Sequence, residues 1–123
     1  MLSNQTSEIT ADKDLILESL IVFVTKNEGA IPITLQVGGL CVSGLLISEE
    51  SYFKHAFISL ENKNITFPEF SELSQPVPHA FIHIHDARIV SSGLTIPQGD
   101  HGGFWRGKLQ SVDGFFIGKL VPE

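Results

Sequence analysis

The feature that most limits what this chain can fold into is a change of hydrophobic period at Ile31. Before it, Leu17, Leu20, Ile21 and Val24 recur at helical spacing, with Ile16 and Phe23 widening the apolar face. After it, Ile33, Leu35 and Val37 alternate with Thr34 and Gln36, the two-residue period of a strand with one buried side. The first pattern predicts a helix from Asp12 to Gly29. Asp12 is placed to cap it, Asp14 suits the positive end of its dipole, and Gly29 can take the left-handed conformation that ends it. The second predicts a strand that turns at Gly38-Gly39 and returns as Leu40 to Ser48. Gly44 inside the returning strand marks a bulge or sharp bend.

Ser48 then caps a second helix, about Glu49 to Glu61, with both acids in its first turn. Tyr52, Ala56 and Leu60 form one stripe, Phe53 and Phe57 its neighbour, so this helix also should cover the sheet. Lys63 to Pro78 reads as a long connection punctuated by Pro68, Pro76 and Pro78. Phe67 and Phe70 within it are either apolar anchors of a surface loop or side chains presented to a partner. Period two resumes from His79 to Val90, and Ser91 to Gly103 reads as a glycine-rich loop. Phe104 to Val112, an Asp113-Gly114 turn, and Phe115 to Val121 then read as a closing hairpin.

The expected fold is therefore α+β and mainly β. An N-terminal helix precedes five antiparallel strands, with a second helix after strand 2. The strands form either a strongly bent open sheet or a small, partly open barrel of the Sm or SH3 kind. At 123 residues there is room for one core. Residues 12–123 are expected to form that single domain, after a disordered lead-in over 1–11. No apolar run approaches the roughly 18 residues of a membrane span, and the polar start does not resemble a secretory signal. Cys41 is the only cysteine, which rules out an internal disulfide and suits a buried, inert thiol. A cytoplasmic location is the matching expectation. The formal net charge of −6 disfavours nucleic acid as a partner.

Catalytic and metal chemistry find little support in the residue pattern. His83 and His85 share a strand face and could begin a zinc site, but a third and fourth ligand would have to come from His79, His55, His101 or Asp100. No Gly-x-Ser-x-Gly surrounds Ser43, and Cys41 has no activating neighbour. The Gly99–Gly103 stretch carries Asp100 and precedes a strand, unlike a phosphate cradle at a helix start. The expectation is a binding protein with no enzymatic activity, cofactor or metal.

The closing hairpin is the candidate binding element. With Asp113-Gly114 at its turn, Arg106, Lys108 and Lys119 fall on one face as a basic strip on an acidic protein. Arg106 could grip a partner's carboxylate with two parallel hydrogen bonds. Trp105, Leu109, Phe116 and Leu120 fall on the opposite, core-facing side, with Gly107 and Gly118 allowing close approach or a bend.

These residues also carry a family resemblance. Phe104-Trp105-Arg106-Gly107-Lys108, then Val112-Asp113-Gly114-Phe115-Phe116 and Gly118-Lys119, resemble the gas vesicle accessory protein GvpU family. Phe81-Ile82-His83, Val42-Ser43-Gly44, Ile47-Ser48 and Tyr52-Phe53 are similar to its earlier elements, so the likeness runs from about Asp14 to Leu120. The resemblance implies a non-enzymatic bacterial protein, without metal or cofactor, that acts in the assembly or clustering of gas vesicles. It implies shell or other accessory proteins as partners, self-association, and a location in the cytoplasm at the vesicles. The family pattern has no histidine at the position of His85. A small-barrel nucleic-acid-binding protein, or a relative with another binding role, is the alternative.

Overall fold

A computed structural model describes residues 14–65 and 79–120. The predicted lead-in over 1–11, most of the long connection, and both Phe67 and Phe70 lie outside the described residues.

Helix α1 spans Leu15–Asn27. Its cap is Asp14 rather than Asp12, and the Asp14 side chain accepts hydrogen bonds from the amides of Ile16 and Leu17. Its end is made by Glu28 in the left-handed conformation, one residue before the expected glycine. Leu17, Ile21 and Val24 are buried, as their spacing requires. Strand β1 (Ile31–Val37) and strand β2 (Leu40–Ile47) form the expected hairpin, with Val37 opposite Leu40 across Gly38-Gly39. Helix α2 (Glu49–Glu61) starts at Ser48, whose hydroxyl accepts from the Ser51 amide.

Strand β3 (Phe81–Ser91) is the longest of the sheet and pairs with β2. Gly44 marks the predicted bulge, where the pairing register shifts between Ser43 and Leu45. A methyl group there would lie 2.6 Å from Ile84 Cγ2 and 2.7 Å from the His85 carbonyl oxygen, so only glycine fits. The partner strand bends at the same point, at Asp86 with φ 52°.

The remaining chain departs from expectation in two ways. First, the glycine-rich stretch contains strand β4 (Leu94–Ile96), joined to β3 by a tight Ser92-Gly93 turn with both residues at positive φ. Among the described residues the sheet thus has six strands rather than five. Second, the closing hairpin does not exist. Strand β5 (Gly103–Lys108) pairs with β3, whereas strand β6 (Gly114–Ile117) pairs with β1 at the opposite edge.

Chain reversal begins at Leu109, not at Asp113. Leu109 is buried, and it opens a short 3-10 turn through Ser111. Its amide donates to the Ala80 carbonyl at 3.0 Å. The Asp113 amide donates to Gln36 O at 2.8 Å, and its carboxylate accepts from the Gly38 amide at 2.8 Å. Asp113 therefore ties the link to the β1–β2 turn instead of making a turn of its own. A 3-10 turn of three residues and three extended steps reach about 16 Å. Four flat strand spacings between β5 and β6 would require about 19 Å. The sheet must curl for the link to fit, yet it remains open. This is the mainly β α+β fold expected, in its bent-sheet form.

Candidate interaction surface

The inner face of the sheet carries the core: Leu17, Ile21 and Val24 of α1 with Ile33, Leu35, Val42, Leu46, Ile82, Ile84, Ala87 and Leu109. The outer face of β3 and β5 is covered by α2 through rings. Tyr52 lies 4.9 Å from His83 and 5.8 Å from Phe104, centroid to centroid. His55 stacks on His85 at 4.9 Å with planes 5° apart, and His85 stacks on Phe104 at 5.2 Å. The expectation that α2 covers the sheet holds, although none of its residues is fully buried.

Arg106 sits within this layer. Its Nε–H donates to His83 Nε2 at 3.0 Å, and its guanidinium carbon lies 3.8 Å from the Phe81 ring centroid. Its Nη2 is 3.7 Å from Glu49 Oε1. His83 is buried, and that burial, with Arg106 beside it, lowers its pKa to about 3. The imidazole is therefore neutral, with Nε2 as the acceptor. His85 is also held below the ordinary histidine value, by burial and then by His55, with Asp86 opposing.

The basic strip predicted on one hairpin face is not assembled, because β5 and β6 are not neighbours. Arg106 is taken up by His83, Phe81 and Glu49. Lys119 Nζ lies 3.2 Å from Asp86 Oδ2, and Asp86 also accepts from the Gly102 amide at 2.8 Å. That amide bond, ahead of Lys119, keeps the Asp86 carboxyl below its usual range. Lys108 is exposed opposite Phe81, and among the described residues no acid pairs with it.

The core-facing stripe is also redistributed. Trp105 and Leu109 do join the core, but Phe116 is 47% exposed and Leu120 is exposed as well. Phe115, which strand alternation sets on the face opposite Phe116, packs on the core instead. Side-chain alternation cannot be carried through the link, because the 3-10 turn resets it. The glycines act largely as expected. The Trp105 ring occupies the space a Gly107 side chain would need, and Gly118 has φ 124°. Gly114 lies opposite Gln36.

Past β6 the chain crosses the outer side of β1 and β2. The Thr34 hydroxyl donates to the Gly118 carbonyl at 2.8 Å, and the Leu120 amide donates to Ser43 Oγ at 2.7 Å. Two hydroxyls on a sheet face thus become buried and satisfied.

What is left open is an edge. Strand β6 pairs with β1 alone among the described strands, and Ile117 beside Phe116 is 59% exposed. A cleft of about 460 Å³ opens elsewhere, between the end of α1, the start of α2 and residues 79–81. The described residues contain no group of three or more His, Cys, Asp or Glu side chains placed to hold a metal ion. His83 in particular has its Nε2 engaged by Arg106.

Sequence reasoning missed His55, Glu49 and Phe81 as parts of the outer layer. One signal was available: Tyr52 and His55, three apart, share a helix face, and His83 and His85 share a strand face.

The fold and this surface define a small α+β domain with a curled open sheet, an apolar free edge and a polar ring layer under its second helix. The chain belongs to the GvpU-like family: the family model described as gas vesicle protein GvpU-like matches residues 14–120. It is a gas vesicle-related protein. No curated protein and no solved structure matches it. No helix among the described residues is long and apolar enough to cross a membrane.

Proposed function

We propose that this chain is a non-enzymatic protein that acts by protein–protein binding in the assembly or clustering of gas vesicles, with shell or accessory proteins as its partners. The observation that carries this reading is the family match over residues 14–120, which spans every described element. The free β6 edge supports it as the contact. Unpaired strand edges accept a further strand through backbone hydrogen bonds, and Phe116 and Ile117 add apolar side chains to that offer. Of the three predicted cations, Lys108 is the one available to a partner's carboxylate; Arg106 and Lys119 already have internal partners.

Co-sedimentation with purified gas vesicles at low salt tests the reading. The full chain should pellet with the vesicles, and retention in the supernatant would overturn docking. Ile117→Lys should weaken association by roughly tenfold, about 1.4 kcal/mol, by placing a charge at the exposed end of the edge strand. Unchanged binding by Ile117→Lys would move the contact away from β6.

A further inference from the structure

The layer between α2 and the sheet has a composition unlike the core. Its rings are Tyr52, Phe53, His55, Phe81, His83, His85 and Phe104, and its fixed cation is Arg106. We propose that this layer is an acid-sensitive clasp: proton uptake by its histidines releases α2 from β3 and β5 and uncovers the His83 ring and the side of Phe104 that Tyr52 covers.

The geometry gives two reasons. His83 Nε2 accepts from Arg106, so a proton placed there removes the bond and sets two cations 3.0 Å apart. His55 and His85 are stacked face to face at 4.9 Å, so charging both imposes like charges at ring contact. The surrounding charges do not absorb this. Beside His85, Asp86 is already paired with Lys119 and bonded to Gly102. Beside His83, Glu49 faces Arg106. Around the cleft, Glu28 and Glu50 are exposed, and Lys54 brings a further positive charge on the side where His79 also lies. Among the described residues, neither ion pair of the layer includes a histidine. Helix α2 has no buried residue to hold it by aliphatic packing once the rings part.

The clasp does not depend on the proposed vesicle partner, because it concerns only how α2 sits on its own sheet. A histidine that is refused a proton when α2 is docked and free to take one when it is released responds steeply. With a released-state pKa of about 6.5, the opening equilibrium rises roughly thirtyfold between pH 7.5 and pH 5.0 for each such histidine.

Hydrogen exchange of the full chain, corrected for the intrinsic rate at each pH, measures this directly. Amides of α2 should lose at least about tenfold of their protection by pH 5.0, through an opening in which those of β1 and β2 stay protected. Equal protection of α2 at both pH values would overturn the clasp. His83→Gln keeps a neutral acceptor for Arg106 and does not titrate, so it should reduce the loss to a few-fold. Should that variant fail to fold, side-chain NMR titration of the unaltered protein decides. A His83 imidazole that charges near pH 6.5 while α2 stays docked would overturn the proposal.

Discussion

On the inner side of the sheet, α1 meets β1, β2 and β3 through Leu17, Ile21 and Val24 against Ile33, Leu46, Ile82 and Ile84, all buried. On the outer side, α2 meets β3 and β5 through imidazole, phenol and phenyl rings around one guanidinium, and none of the helix is fully buried. The two helices are the same length, 13 residues each. They differ in what the sheet offers them. Aliphatic packing is indifferent to pH and is lost only by making a cavity. The outer layer depends on charge state and on acceptors being met, so it can be loosened without removing a single atom.

The largest effect expected from testing that contrast is in the core. Leu46→Ala, at a fully buried site on β2, should destabilise the protein by about 2–5 kcal/mol in denaturant unfolding, with little change from pH 7.5 to pH 6. A cost below about 1 kcal/mol would mean that the inner layer is not the main support.

The acid response comes next. The His83 pKa is lowered to about 3 in the folded protein, by burial and then by Arg106, against about 6.5 when unfolded. Its contribution to stability is complete above pH 6.5. It is then lost progressively as pH falls towards 3, because the unfolded chain takes the proton that the native chain refuses. The depressed pKa of Asp86 acts in the same direction at lower pH. A denaturant midpoint that rises on acidification from pH 7 to pH 5 would contradict this sign.

Arg106→Met keeps an apolar stem over Phe81 but leaves buried His83 Nε2 without its donor. The expected cost is about 1–3 kcal/mol, with greater loss of protection in α2 than in α1. Equal loosening of both helices would show that the outer layer is not a separate unit.

The smallest effect belongs to Lys119. Its pair with Asp86 is more than a third exposed on both sides, so Lys119→Ala should cost about 0.2–1 kcal/mol and fade as salt rises. An effect that survives molar salt would place the importance of that segment in its backbone bonds to Thr34 and Ser43 instead.

Much of this architecture is readable from particular residues. The Ile31 change of period, Gly38-Gly39, Gly44 and Ser48 each mark a boundary through chemistry acting within a few positions, and the structure keeps all four. Strand β4 was also legible, since Ser92-Gly93 separates Ile89-Val90 from Leu94-Thr95-Ile96, but the surrounding glycines obscured it. The candidate site was less legible. The basic strip required Asp113-Gly114 to be a hairpin turn, and the dipeptide carries that signal in any isolated strand pair. Here the Asp113 carboxylate is engaged by Gly38, 75 positions away, which no local pattern encodes.

By itself, then, the sequence determined most of the elements: both helices and strands β1 to β3, their ends to within a few positions, and that the two helices must lie on a sheet. These follow from side-chain period and capping, interactions that span a turn or a few residues. Only the tertiary structure decided which strands are neighbours, that β5 and β6 stand at opposite edges, and that Arg106 faces an imidazole rather than solvent. Pairing is chosen by the total burial and hydrogen bonding of the assembled sheet. Burying Leu109 against strands far earlier in the chain outweighed the turn its neighbours would otherwise have made.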